Sequence, residues 1–306
     1  MNTVAAGIVV YNPDHNRLIQ CINHLEKQVA CIIIYDNSTE KESNFDFGDK
    51  VVYISNHKND GVAHALNEIF KKAKSLGYKW LLTMDQDTIV PDDMVETFAN
   101  FFNEKGVGII CPQVIDKRRV YLKIDDTKDE ISNISFCITS ASCTNIEIWD
   151  KLGGFDEFLF IDFVDNEYCK RLVLNGYKIL RCNNIIIDQE FGKIQLKSPY
   201  WVKFYTRLSS ILNNKNVAKL SYKKEVSPLR VYYVHRNLLY LNKKYKNYGG
   251  IGYDNFYCNS FGGFLLYFSL PSFVRASRKL LVLKAILKGL YDGFQSRANV
   301  TKYQVI

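Results

Sequence analysis

Two carboxylates one residue apart, Asp85 and Asp87, follow an apolar run of Trp80, Leu81, Leu82 and Met84. That run reads as a short buried strand, and its abrupt end in acids places the pair at a strand's carboxyl end, the edge where open α/β sheets keep their ligand crevice. Hard oxygen donors at this spacing repel each other unless a cation lies between them, so a divalent ion shared with phosphate oxygens is the chemistry they suit. A second acidic group, Asp162, Asp165 and Glu167, is set among Phe158, Phe160, Ile161, Phe163 and Val164. Acids that open a helix usually cap it and complement its dipole. Acids embedded in so apolar a stretch are costly unless they work. His64 has no second metal-type ligand at i+4 and is read as a structural helix histidine, and Asp92 and Asp93 as helix-start acids.

The elements that must position these groups are legible from periodicity. Residues 4–11 form a strand, Asn12-Pro13-Asp14 opens a helix with Leu18, Cys21, Ile22, Leu25 and Val29 on one face, and residues 31–35 form a second strand ending at Asp36. Strand, helix, strand in about thirty residues is a parallel unit buried on both faces, so Tyr11, Asn12 and Asp36 share an edge with Asp85 and Asp87. A strand at 51–55 leads to Asn59 and Gly61, where glycine permits close backbone approach to a ligand, and then to a helix carrying Asn67 whose amino terminus turns to the same edge. A helix from 92 to 103, strands at 107–111, 136–141 and 177–187, and a charged loop or hairpin over the site at 116–132 complete an α/β domain.

With 306 residues, 47% of them hydrophobic, the chain can bury a sizeable core. The net charge of +8 hides an asymmetry: residues 197–306 hold 19 Lys and Arg against 3 Asp and Glu, and residues 1–196 hold 21 against 29. A basic half of this kind points to an anionic surface, and since no nucleic-acid recognition motif is visible, membrane headgroups are the expected partner and nucleic acid is not. One helix there sets Leu280, Leu283, Ile286, Leu287 and Leu290 on a broad face, with Lys284 and Lys288 expected opposite, a pattern suited to an interfacial helix. The eight cysteines form no Cys-x-x-Cys pair and read as buried, reduced thiols, so zinc is not indicated. No signal peptide or membrane span is visible, which places the protein in the cytoplasm, peripheral at the inner face of the plasma membrane.

Taken in order, the motifs resemble those of family-2 glycosyltransferases of the GT-A fold, a Rossmann-like mixed sheet flanked by helices, and are most similar to the bacterial rhamnosyltransferase-like branch. The resemblance rests on Tyr11-Asn12-Pro13, on Asp36 after the second strand, on Asn59, Gly61, Ala63 and Asn67, on Asp85-Gln86-Asp87, and on the run from Gly153-Gly154-Phe155-Asp156-Glu157 to Asp162, Asp165 and Glu167. The segment Ser227-Pro228 to Arg236-Asn237 resembles one that follows the catalytic domain in this branch. It implies a catalytic domain over 1–197, with a donor half at about 1–112 and an acceptor half at about 113–197, and a basic, mainly helical region at 198–306 facing acceptor and membrane.

The resemblance further implies that Asp85 and Asp87 hold Mg²⁺ or Mn²⁺. Tyr11, Asn12, Asp36, Asn59, Gly61, Asn67 and Gln86 would bind the donor, and Gly154, Asp162, Glu167 and Arg171 would contact or support the acceptor. Asp165 aligns with the catalytic base, and its apolar setting would raise its pKa in keeping with that task. The expected reaction is an inverting transfer of a sugar, foremost L-rhamnose from dTDP-rhamnose, to a hydroxyl of a lipid-linked cell-surface glycan precursor. Galactofuranose or another hexose carried by UDP is the alternative donor. Where many relatives have a histidine after the last strand, this chain has Gln189, a weaker donor to Mn²⁺ than imidazole. Outside the family, Asp85-Gln86-Asp87-Thr88 also fits the Asp-x-Asp-x-Thr of haloacid-dehalogenase-like phosphatases, and a non-catalytic nucleotide-sugar or lipid-binding module would not need Asp165.

Overall fold

The computed structural model describes residues 3–39, 47–119, 124–125, 127, 129–190, 192 and 194–298. These residues form two compact units, one of 3–114 and 125–187, the other of 115–119, 124 and 188–298.

The first unit runs β1 (Val4–Val10), α1 (His15–Leu25), β2 (Cys31–Asp36), β3 (Val51–Ser55), α2 (Val62–Ser75), β4 (Trp80–Asp85), α3 (Met94–Ala99), β5 (Val107–Ile115), β6 (Ile131–Ile134), β7 (Ser142–Asn145), α4 (Ile146–Lys151), α5 (Val164–Leu174) and β8 (Lys178–Asp188). The eight strands form one mixed sheet in the order β3-β2-β1-β4-β7-β5-β8-β6. Its first four strands are parallel, β7 runs antiparallel between β4 and β5, and β6 pairs antiparallel with β8. Every residue of β2 is buried, as its Cys-Ile-Ile-Ile-Tyr run requires of a strand covered on both faces. The Asp14 carboxylate caps α1 by accepting the Arg17 N–H at 3.1 Å, and Leu18, Cys21, Ile22 and Leu25 turn inward. Registers of Val9 with Asp85 and Val10 with Asp36 align the carboxyl ends of β4, β1 and β2.

Two expectations shift. The strand predicted at 136–141 lies instead at Ser142–Asn145. Ala141 takes a left-handed φ of 58°, the Ser142 hydroxyl donates to Ile138 O at 2.5 Å and Thr83 Oγ1 lies 2.5 Å from Thr139 O, so 138–141 forms a turn bonded by side chains. The small residues Ser142, Cys143 and Thr144, which carry little apolar signal, then fit the slot between β4 and β5. The helix predicted from 92 to 103 is confined to Met94–Ala99. Of the expected 116–132 loop, residues 120–123, 126 and 128 lie outside the described residues.

The second unit comprises a two-stranded antiparallel ribbon, β9 (Ile194–Leu196) with β10 (Tyr222–Lys224), and the helices α6 (Pro199–Ile211), α7 (Lys215–Ala218), α8 (Pro228–Lys244), α9 (Phe261–Phe264), α10 (Leu270–Arg275) and α11 (Lys279–Gln295). Helix α11 packs on α8 through glycine. A Cβ on Gly289 would stand 2.5 Å from Tyr232 O, and one on Gly293 would stand 2.9 Å from Leu239 Cβ. Packing through Val282, Ile286, Gly289 and Gly293 corrects the expected face: Leu280, Leu283 and Leu287 point outward and share the exposed side with Lys284 and Lys288. His235 of α8 is fully buried, with Nδ1 donating to Val231 O and Nε2 accepting from the Ser269 hydroxyl, both at 2.7 Å, and burial pushes its pKa down to about 4. Among the described residues no helix is long and apolar enough to cross a membrane.

Candidate active site

At the carboxyl edge of β1, β2 and β4 the chain turns through polar residues whose bonds fix one another. The buried Asp36 carboxylate accepts the Ser38 N–H at 2.7 Å and the Tyr53 hydroxyl at 2.5 Å. The Tyr11 N–H donates to Gln86 Oε1 at 2.9 Å, and the Asn12 N–H to Ser38 Oγ at 2.8 Å. Asp85 and Asp87 are both exposed at this edge. Both lie close enough to the Cys21 thiol to add to the burial that pushes its pKa up to about 12. The main chain at Asp85 is held from beneath, since its N–H donates to Ser140 Oγ at 3.2 Å and Ser140 Oγ also lies 3.2 Å from Thr88 Oγ1.

This edge continues into the amino terminus of α2. The Asn37 amide donates to Gly61 O at 3.2 Å, and the Gly61 N–H donates to Asn59 Oδ1 at 3.1 Å. Gly61 has a φ of 90°, and a Cβ there would lie 2.6 Å from both the ring and the carbonyl oxygen of Phe160. The Val62 N–H donates to that carbonyl at 2.7 Å. Glycine is therefore required twice over, by conformation and by the approach of the 158–165 segment.

In that segment Asp162 and Phe163 adopt consecutive left-handed conformations, φ 66° and 67°, which cost on the order of 1–3 kcal/mol each in residues other than glycine. They deliver Val164 and Asp165 into the first turn of α5. Desolvation raises the Asp165 pKa to about 7, with smaller upward contributions from Cys137 and Asp162, against the Asn166 N–H that its Oδ1 accepts at 2.9 Å. Beneath it Cys137 Sγ lies 3.8 Å from Cys169 Sγ; all eight cysteines are free and buried.

Hydrogen bonds thus tie Tyr11 to Gln86, Asn12 and Asp36 to Ser38, Gly61 to Asn59 and Asn37, and Val62 to Phe160, whose segment continues to Asp162 and Asp165. Asn67, expected with the donor-binding residues, is engaged elsewhere: its amide donates to Phe155 O at 3.0 Å and Glu157 Oε1 at 2.8 Å and accepts the Phe155 N–H at 2.7 Å. His64 pairs with Glu157 at 3.0 Å, and these two partners hold the Glu157 pKa down against the upward push of burial. Glu167 is fully buried and paired with Arg171 through Nε at 3.0 Å and Nη2 at 2.7 Å. Arg171 also donates to Leu152 O and, at 2.6 Å, to Gly154 O, so this pair clamps the Gly153-Gly154 turn to α5. Gln189 is a buried residue of the second unit, its N–H donating to Ile115 O at 2.8 Å. Sequence reasoning missed Tyr53, Ser140 and Phe160, whose roles depend on partners more than fifteen residues away.

Among the described residues no group of three His, Cys, Asp or Glu side chains could hold a metal. Two carboxylates alone still fit a hard divalent ion that keeps its other positions for phosphate oxygens and water.

Residues 6–155 match the glycosyl transferase family 2 profile. The chain belongs to that family. This transferase is 24% identical over 244 residues to the dTDP-rhamnosyl transferase RfbF of Shigella flexneri, covering 70% of its own length and 81% of that protein's. Its fold is similar to that of GalNAc-T7 solved with UDP, GalNAc and Mn²⁺, with a TM-score of 0.53 at 15% identity over 62% of this chain, which spans 43% of that one. The mannosyltransferase PcManGT of Pyrobaculum calidifontis, solved with GDP-Man and Mn²⁺, superposes with a TM-score of 0.50 at 13% identity, covering 95% of this chain and 87% of that one. The fold is GT-A, a large mixed sheet flanked by helices. With the family assigned, the phosphatase reading of Asp85 and Asp87 has nothing left to support it; β4 is also the fourth strand in sequence, whereas that motif belongs on a first strand.

Proposed function

We propose that this transferase moves L-rhamnose from dTDP-rhamnose, with inversion, to a hydroxyl of a lipid-linked glycan precursor. The observation that supports the reading is the pairing of the exposed carboxylates Asp85 and Asp87 at the carboxyl end of β4 with Asp165, whose pKa burial raises to about 7, in the first turn of α5. The choice of donor rests on the likeness to RfbF. Asp36, with its carboxylate fixed by Ser38 and Tyr53, would receive the base of the nucleotide, and Tyr11, Asn12, Gln86, Asn59 and Gly61 would line the path to the diphosphate. Asp85 and Asp87 would hold Mg²⁺ or Mn²⁺, which when bound offsets the negative charge that grows on the departing diphosphate. Asp165 takes the acceptor hydroxyl's proton as that oxygen attacks the anomeric carbon and the bond to the diphosphate breaks. Arg171 and Glu167 position the Gly153-Gly154 turn against the helix that carries Asp165.

Residues 1–197 are the catalytic domain in this reading, and 198–306 face the acceptor and the membrane. The outward leucines of α11 interspersed with Lys284 and Lys288 support attachment to an anionic bilayer surface. Calorimetric titration with dTDP, UDP and GDP, each with Mn²⁺ or with chelator, tests the proposal. Metal-dependent preference for dTDP is expected. Preference for UDP would move the donor to galactofuranose or another hexose, and absence of binding to all three would remove the donor reading.

A further inference from the structure

Residues 85–88, which carry the metal-type carboxylates, form one turn, with the Thr88 N–H meeting Asp85 O at 3.4 Å. Three of its four residues are tied to neighbouring chain. Gln86 Oε1 accepts the Tyr11 N–H at 2.9 Å, the Asp85 N–H donates to Ser140 Oγ at 3.2 Å, and Thr88 Oγ1 lies 3.2 Å from that same Ser140 oxygen. One buried hydroxyl therefore holds both ends of the turn. Asp87, between these anchors, is exposed and makes no hydrogen bond or ion pair among the described residues. Ser140 itself stands on a turn fixed from several sides. Ala141 keeps a left-handed φ of 58°, unfavourable for a residue with a Cβ. Bonds from three elements keep it there: the Thr83 hydroxyl of β4 donates to Thr139 O at 2.5 Å, the Ser142 hydroxyl of β7 to Ile138 O at 2.5 Å, and the Cys169 thiol of α5 to Cys137 O at 3.5 Å. A strained backbone over-determined in this way points to a task, and Ser140 is the side chain that it presents to the 85–88 turn.

We propose that Ser140, together with Thr88, is a positioning residue for the divalent cation: it holds the 85–88 turn in the conformation from which the Asp85 and Asp87 carboxylates reach one ion. Two acids one residue apart repel each other, so a free turn would splay them. Each anchored group removes part of the ordering that metal binding must otherwise supply, and a support built on strands and a fixed turn holds its geometry. Ser140 acts through the Asp85 main chain and the Thr88 hydroxyl, not as a ligand. The inference rests on the reading of Asp85 and Asp87 as the metal-holding pair and goes beyond it, because it assigns a share of the metal affinity to two uncharged side chains. All of its residues belong to the first unit.

The test is Mn²⁺ binding to the full chain in the presence of dTDP and, separately, of UDP, read from the paramagnetic resonance of free Mn²⁺ and set beside thermal unfolding of the same samples. Ser140→Ala should bind Mn²⁺ about three- to tenfold more weakly than the wild type. Thr88→Val, which loses one of the two bonds, should bind it about two- to fourfold more weakly, and Thr88→Ser, which keeps the hydroxyl, should bind like the wild type. A hydroxyl that serves the fold alone gives a lowered melt with unchanged Mn²⁺ affinity, and that result overturns the proposal. Equal weakening by Thr88→Ser and Thr88→Val also overturns it, because shape and not the hydrogen bond would then be what matters. If Ser140→Ala loses its cooperative melt, the two Thr88 variants carry the test, and unchanged affinity in Thr88→Val decides against the proposal. Absence of Mn²⁺ binding by the wild type with either nucleotide removes the metal reading and this inference together, whereas wild-type binding that the variants share removes this inference alone.

Discussion

A carboxyl whose pKa burial raises to about 7 changes charge across the neutral range, and only its ionised form can accept a proton. For Asp165 the sign is therefore fixed: kcat/KM rises with pH and levels off above about 7. Initial rates from pH 5.5 to 8.5, each about a unit or more from that midpoint, should show this limb, and Asp165→Asn should lose about 10²- to 10⁴-fold of the rate while retaining dTDP binding. An unchanged rising limb in Asp165→Asn would assign the titration to another group. Stability runs the opposite way, because the native state keeps the proton between the ordinary carboxyl value of 3.8 and about 7, so this residue destabilises the fold as pH rises through that window. At this scale the sequence was legible where chemistry and position coincide. Asp36, Asp85 and Asp165 stand at strand or helix ends that periodicity locates. Asn67 and Arg171 were not legible in the same way, because polar residues inside a motif look alike until their partners are known, and the partners of Asn67 lie 88 and 90 residues away.

Elements were legible to the extent that they are amphipathic or wholly apolar. β1, β2, β4, α1 and α2 lie where their patterns put them. β7 was misplaced because its small residues are buried by neighbours on both sides rather than by their own hydrophobicity. Helix α11 misleads for a related reason: its strongest apolar stripe faces outward and its packing stripe contains two glycines. Gly289→Ala must part α11 from the Tyr232 carbonyl of α8, a backbone group that cannot rotate away. We expect a loss of about 1–3 kcal/mol in thermal or denaturant unfolding. Gly262→Ala, whose Cβ meets nothing within 4 Å, serves as the control.

On the scale of the whole molecule, charge divides between an acidic first half and a basic second half. The exposed face of α11 joins Leu280, Leu283, Leu287, Tyr291 and Phe294 with two lysines, and its nearby Asp292 is bonded to the Tyr232 hydroxyl at 2.7 Å. Such a face should adsorb to anionic vesicles through insertion and charge together. Leu283→Asp and Leu287→Asp should each weaken co-sedimentation with phosphatidylglycerol vesicles by about tenfold, and added salt should weaken the wild type. Equal binding by both variants would move the contact to another surface. Composition could signal the excess of positive charge but not the open face, since which side of a helix is left open depends on its packing against α8.

The sealed pair Cys137 and Cys169 also makes the amino end of α5 readable in time. Cys169 stands one helical turn after Asp165, so an alkylating reagent reaches it only when the start of α5 opens, and its labelling rate is a clock for that opening. Peptide mass spectrometry resolves Cys169 from the other thiols. Nucleotide with Mn²⁺ should slow this clock if the donor settles against the 158–165 segment, and an unaltered rate would mean that the donor rests on the β1, β2 and β4 edge alone.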